Sequence, residues 1–325
     1  MKRALALLVL VAAALTRAAA AESFGNRAEV RAFIGELVER HGFRAAELGQ
    51  VFSRAQRLEP ALQLILPAER PSWQDYRAQF VNDQRIERGL AFWAANRESL
   101  ARAEREYGVP SEVILAIIGV ETNYGRNMGR YRVLDALATL AFDYAPRASF
   151  FRSELEQYLL LAREAKVDVF ALQGSYAGAI GIPQFMPGSV RRYAVDFDGD
   201  GSIDLRRSSA DAIGSIANFL RQHGWQPGEA VLLHAKVAAD ATVFTDGGLR
   251  PRFRVGDLVA AGVGVEPPPS SADTLGTLVA LDGSDYRVGL HNFWVITRYN
   301  RSALYASAVA DLAEALAARA QSAGK

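Results

Sequence analysis

The 325-residue chain contains no cysteine. That removes disulfides, thiolate nucleophiles, cysteine-ligated metals and any lipid anchor attached through a cysteine. Histidine is scarce: His41, His223, His234 and His291 form no HExxH pair or other close ligand spacing. No GxSxG elbow is present, and the glycines from Gly174 to Ser189 follow neither the GxGxxG nor the Walker pattern. No block of like charge stands out in a chain of formal net charge +1, so nucleic acid is not an expected partner. The composition, half hydrophobic and 22% charged, belongs to a folded chain long enough for a sizeable core.

The long apolar runs are limited to the N-terminus. Lys2 and Arg3 precede the apolar stretch Ala4–Leu15, and Ala18 to Ala21 offer small residues for cleavage before Glu22. This is the build of a secretory signal peptide over residues 1–21, and the run is short of the roughly 20 residues that span a bilayer. Its removal takes away three cations and no acids, which turns the formal charge from +1 to −2. An exported, periplasmic protein without a membrane anchor is expected.

Periodicity divides the rest. Helical spacing runs from about Ser23 to Leu58, from Gln84 to Tyr107, from Pro110 or Ser111 onward, and over 134–142, 150–165 and 210–223. Pro60, Pro67 and Pro71 read as turns. After Gly224 short strand-like segments appear at 230–237, 242–244, 253–255, 277–281 and 287–288, with turn signals at Asp246-Gly247-Gly248 and Asp282-Gly283. The expected organisation is a helical domain over 22–227, a small β-rich insertion over 228–289, and a return through 290–325 that ends in a helix. The fold class is mainly α, within α+β.

Two segments carry chemistry. In Ile114-Leu115-Ala116-Ile117-Ile118-Gly119-Val120-Glu121, the glutamate follows Ile114, Ile117 and Ile118 at the i+7, i+4 and i+3 positions of one helical face. A carboxylate on an apolar stripe is costly to ionise. Its pKa rises, which suits a general acid at neutral pH. The ordinary alternative is a carboxylate at the stripe's end that points to water or pairs with an arginine. Gly119 in mid-helix costs about 1 kcal/mol relative to alanine and points to tight packing beside the acid, and Gly125 is the expected helix end. The second segment is Asp196-Phe197-Asp198-Gly199-Asp200-Gly201-Ser202-Ile203-Asp204. It fits the first nine positions of an EF-hand loop, with oxygen donors at Asp196, Asp198, Asp200, Ser202 and Asp204, but Arg207 stands where the closing glutamate belongs. A solvated acidic turn without metal is the alternative.

The segment Ile118-Gly119-Val120-Glu121-Thr122 resembles the catalytic helix of the lytic murein transglycosylase B family, a branch of the lysozyme-like superfamily. Four further segments are similar and in the family's order: 134–140 (LDALATL), 174–181 (GSYAGAIG), 184–187 (QFMP) and 295–302 (VITRYNRS). Together the likeness extends over about residues 25–320. It implies a lysozyme-like helical core and cleavage of the bond between N-acetylmuramic acid and N-acetylglucosamine in peptidoglycan. Glu121 would first protonate the glycosidic oxygen. It would then act as base toward the C6 hydroxyl of the muramic residue, leaving a 1,6-anhydro end. No second catalytic carboxylate is then needed, in contrast to most glycosidases, although Asp135, Asp143, Glu154 and Glu156 lie near in sequence.

The resemblance also implies that Ser175, Gln184, Tyr299, Asn300 and Tyr305 contact substrate or steady the glutamate, and that Asp211 closes the acidic loop around a structural calcium ion. Tyr124 is a further candidate for the groove wall. Trp73, Trp93, Trp225 and Trp294 read as core residues, and no organic cofactor is expected. A hydrolytic muramidase with the same glutamate, and a calcium-stabilised peptidoglycan-binding protein without activity, are the alternative functions.

Overall fold

The computed structural model describes residues 23–323 apart from 67–68, 70, 239–243, 245–247 and 284. The signal-peptide reading, most of the expected strand at 242–244 and the Asp246-Gly247 turn lie outside the described residues.

The chain forms two compact units that divide between Arg57 and Leu58. The first contains α1 (Ala28–His41) and α2 (Ala45–Arg54). In α1 the stripe Val30, Phe33, Ile34 and Leu37 is buried, and Phe33 meets Phe52 of α2 edge-on with ring centroids 6.1 Å apart.

The second unit begins with α3 (Glu59–Leu64), α4 (Trp73–Phe80), α5 (Asp83–Ala95), α6 (Arg97–Tyr107) and α7 (Ser111–Thr122). Then come β1 (Tyr131–Arg132), α8 (Val133–Asp143), α9 (Ala148–Glu164), β2 (Gln173–Gly174), α10 (Pro187–Tyr193) and α11 (Ser209–Gln222). The sheet region holds β3 (Leu232–Val237), β4 (Phe253–Arg254), α12 (Val255–Ala260), β5 (Val263–Glu266), β6 (Leu275–Asp282) and β7 (Asp285–Gly289). The short α13 (His291–Ile296) leads to the terminal α14 (Ala303–Ala323). The fold class is the expected one: mainly helical, with a small sheet.

Several boundaries differ from the sequence reading. Pro60 opens α3 instead of breaking the chain, because a first-turn proline forgoes no helical hydrogen bond. The expected helix from Gln84 to Tyr107 is split at Asn96, whose amide closes α5 on Phe92 O and Trp93 O. Neither α12 nor β5 was anticipated. Both are too short to show a period.

The centre of the second unit is α7, which packs against α14, α5, α6 and α11. Its residues Val113 to Gly119 are all buried, so it is apolar on every side until its last turn. The five-stranded sheet has the order β4-β6-β7-β3-β5, with every pair antiparallel. One face closes over Leu233, Ala235, Val255, Leu258, Val263, Leu278, Val288 and Leu290. Strand β6 rests on α4 and α14. Asp282 at its end accepts a hydrogen bond from the Trp73 amide at 3.2 Å, and the Arg77 guanidinium of α4 pairs with the buried Asp311 of α14. The sheet and α14 thus hold α4 from two sides.

Candidate active site

Glu121 occupies the last turn of α7, where the stripe of Ile114, Ile117 and Ile118 leaves the core. The helix ends at Thr122, before Gly125. Asn123 and Tyr124 both adopt left-handed backbone, with φ of 51° and 60°, and the Asn123 and Tyr124 amides bond back to Gly119 O and Ile118 O. Asparagine tolerates this conformation better than most residues and takes the capping role expected of a glycine. The reversal folds Tyr124 back beneath the helix. Its hydroxyl sits where a side chain at Gly89 or Gly119 would be, 2.4 Å and 2.7 Å from the Cβ each would carry. Tyr124 is therefore a buried packing residue of the α5–α7 contact, not the groove wall proposed for it. The mid-helix glycine beside the acid is explained by the same contact.

The Glu121 side chain is half-buried, and burial pushes its pKa up to about 7. The opposing influence is Tyr305 of α14, whose hydroxyl donates to Oε1 at 2.6 Å and favours the charged form. Tyr299 stacks beside Tyr305 with ring centroids 6.4 Å apart, and its hydroxyl donates to Pro183 O. Burial holds both phenols well above their ordinary range, and the nearby Glu121 charge adds to this. Tyr76 of α4 feels the same charge. The sequence offered no signal for Tyr76, which belongs to no quoted motif and lies 45 positions from the acid. Tyr305 is itself buried. It acts on the glutamate and has little surface to offer a sugar. Asn300 is exposed at the adjoining turn.

Two other carboxylates near in sequence are committed elsewhere. Arg132 Nε donates to Asp135 at 2.6 Å, and Glu154 accepts from the Gly188 amide at 2.8 Å at the start of α10.

The loop from Gly174 to Met186 forms the neighbouring wall. The Ile182 amide donates to Leu205 O at 2.8 Å, and Ile182 O accepts from the buried Thr122 hydroxyl at 2.9 Å. The loop is thereby tied directly to the residue after the acid. Ser175 Oγ accepts from the Ala177 and Ala179 amides at 3.3 and 3.0 Å, which leaves its proton free to donate. Gln184 sits at φ 51°, a strained value for a residue with a side chain, and its Nε2 donates to Gly181 O at 2.8 Å. Ser175 and Gln184 line one cavity of about 470 Å³ together with Arg126, Arg130, Tyr131 and Tyr176. These two predicted residues therefore meet in space.

In the acidic loop, carboxylate oxygens of Asp196, Asp198 and Asp211 lie within 4.8 Å of one another. Asp211 is buried: Oδ1 accepts from the Phe197 amide at 2.7 Å and Oδ2 from the Asp204 amide at 2.8 Å. The carboxylates of Asp200 and Asp204 stand outside this cluster. One Asp200 oxygen takes the Ser202 amide, and Asp204 Oδ1 takes the amides of Arg206 and Arg207. Three converging carboxylates with no lysine or arginine among them suit a hard divalent cation.

The Tyr305–Glu121 pair makes a pH prediction. Replacing Tyr305 by phenylalanine removes the bond that favours the carboxylate, so the Glu121 pKa rises further. The alkaline limb of the pH–rate profile should move to higher pH in Tyr305→Phe. An unmoved limb would mean that Tyr305 does not govern this proton.

The transglycosylase SLT domain family matches residues 25–314, and the chain belongs to it. Among curated proteins, the membrane-bound lytic murein transglycosylase B of Escherichia coli (strain K12) is 42% identical over 308 residues, which is 90% of this chain and 84% of that protein. The crystal structure of the soluble lytic transglycosylase SltB1 from Pseudomonas aeruginosa is similar at TM-score 0.85 and 49% identity, over 90% of this chain and 99% of that one. The E. coli lytic transglycosylase Slt35, solved in complex with calcium, superposes at TM-score 0.82 with 41% identity, over 91% of this chain and 95% of that one. The lysozyme-like fold inferred from sequence is shared with these relatives.

Proposed function

We propose that this chain is a lytic transglycosylase of peptidoglycan in which Glu121 is the acid and then the base. The observation that carries the reading is the half-buried Glu121 carboxylate with a pKa near 7 and a single tyrosine on Oε1. At neutral pH a large fraction of such a group is protonated, so it can protonate the oxygen of the leaving sugar. Once ionised, it can accept the proton of the C6 hydroxyl as that oxygen closes on C1. A donor poised near the working pH serves both steps. Ser175 and Gln184 hold the glycan along the loop wall, and Asn300 offers an exposed amide beside it. Tyr299 and Tyr305 orient the acid, and the commitments of Asp135 and Glu154 favour a mechanism with one carboxylate. The test is mass spectrometry of fragments released from purified peptidoglycan. Ends lighter by one water than reducing ends support the reading, whereas reducing ends would make the protein a muramidase on the same scaffold.

Calcium is the expected ion at Asp196, Asp198 and Asp211, with the Ser202 backbone carbonyl as a further donor and Asp200 and Asp204 joining after a local change of rotamer. When bound it would supply charge balance and loop rigidity, and no part of the reaction. Calcium at 100 times its dissociation constant would stabilise by about 2.7 kcal/mol. A thermal scan with and without calcium should show a gain in the native protein and a smaller one in Asp198→Asn; equal gains would remove Asp198 from the ligand set. The working location is the periplasm, in keeping with the N-terminal pattern and a cell-wall substrate. No described helix is long and apolar enough to cross a membrane.

A further inference from the structure

A second cavity, of about 380 Å³, lies where the sheet region meets α13. Gln226 and Glu229 line it from the turn after α11, Arg250 and Leu275 from the sheet region, and His291 and Trp294 from α13. Its volume is within the range of ligand pockets, about 300–1,000 Å³. Arg250 has no carboxylate partner among the described residues, and its contact is the Trp294 ring, 5.5 Å from the guanidinium carbon to the ring centroid. Arg298 approaches the same ring at 5.8 Å. Glu229 likewise has no cationic side chain paired with it among the described residues. His291 Nε2 donates to Gly224 O at 2.8 Å, which leaves Nδ1 as an acceptor. Leu275 is half exposed and adds apolar surface.

This lining selects among ligand classes. A sugar that stacks on tryptophan needs an open indole face, and two guanidinium groups already attend Trp294. A phosphate would meet Glu229 as well as Arg250. An unpaired cation and an unpaired anion in one cavity, with apolar surface between polar groups, match a short peptide that bears both a free carboxylate and a free amine. We propose that this cavity binds the peptide branches of peptidoglycan, with the carboxylate on Arg250 and the amine on Glu229. The proposal rests on the peptidoglycan reading above. It gives the sheet region a task, which is to hold the glycan strand through its peptides while Glu121 acts on the sugar backbone.

Calorimetric titration of the full-length mature protein with a wall tripeptide that ends in a diamino acid and is acylated at its N-terminus, so that one amine is free, tests this. Binding is expected, and Arg250→Ala, Glu229→Gln and acetylation of the peptide's amine should each weaken it at least tenfold. Arg250→Ala should also cleave peptide-free glycan at the native rate and peptide-bearing glycan more slowly. Both side chains are exposed and lie in loops, so folding of each variant is readily checked by its melting temperature. Absence of binding, or binding indifferent to both substitutions, overturns the proposal. A free diamino acid that binds as tightly as the tripeptide overturns it too, because it would make the ligand a free amino acid. Failure of the native protein to cleave any glycan would instead overturn the lytic reading, and the peptide titration is independent of that result.

Discussion

Glu121→Gln is expected to abolish release of glycan fragments and, at the same time, to make the protein more stable above pH 7. The loss follows from the role. Glutamine offers no proton to the leaving oxygen, and general acid–base groups contribute about 10²- to 10⁴-fold. The gain follows from linkage. Burial raises the Glu121 pKa from 4.5 in the free side chain to about 7 in the fold. Between those values the folded protein holds a proton that the unfolded chain has released, so stability falls as pH rises through that window. At about 1.4 kcal/mol per pKa unit the cost reaches at most about 3.5 kcal/mol above pH 7, and less to the extent that water reaches the half-buried carboxylate. Glutamine still accepts the Tyr305 hydrogen bond and carries no such cost. Urea unfolding at pH 4 and pH 8 checks this: the variant should match the native protein at pH 4 and exceed it at pH 8. An equal difference at the two pH values would show that the carboxylate is not desolvated, and residual cleavage at the native rate would remove it from the chemistry.

The second large effect is expected at Gly181. Its φ of 72° lies in the left-handed region, which costs a residue with a Cβ about 1–2 kcal/mol. A Cβ there would also stand 2.4 Å from Leu205 O, a backbone atom with little room to move. Leu205 O is the acceptor for Ile182, and Ile182 and Pro183 receive the hydroxyls of Thr122 and Tyr299. Relief of the clash therefore separates the acidic loop from the wall of the active site. Gly181→Ala should lose about 3 kcal/mol or more and most of its activity, taking strain and overpacking together. Gly42→Ala is the control. Its φ of 65° is similar, but its Cβ would meet open space, so only the conformational part, about 1–2 kcal/mol, should appear. Equal losses in the two variants would mean that the contact with Leu205 is unimportant.

How much of this was readable in advance depends on the distance over which each feature is encoded. The position of Glu121 on the apolar stripe of α7 is a local property and showed in the spacing of three isoleucines. The close contact at Gly119 was also legible, since a mid-helix glycine needs a reason, but its partner was not. Tyr124 is only five residues away, yet two consecutive left-handed residues carry it under the helix, and no pattern of residue types announces that reversal. The contacts that set the acid's environment are remote in sequence: Tyr305 is 184 positions from Glu121, and Tyr76 reaches it only because α4 is clamped to α14. In the acidic loop the residue types were visible and the rotamers were not. Asp196, Asp198, Asp200 and Asp204 all accept amides of their own turn, so which carboxylates also converge is a matter of rotamer that spacing alone cannot resolve.

The clamp on α4 bears on attempts to pare the enzyme down. The sheet region looks dispensable as a separately formed appendage, and replacing residues 228–289 by a short turn is an obvious truncation. Asp282 within that region holds the first amide of α4, and β6 lies against the helix that presents Tyr76. A miniaturised version would keep both Glu121 and Tyr76 and still misplace the tyrosine, so its catalytic defect would stem from a missing buttress and not from a missing reactive group.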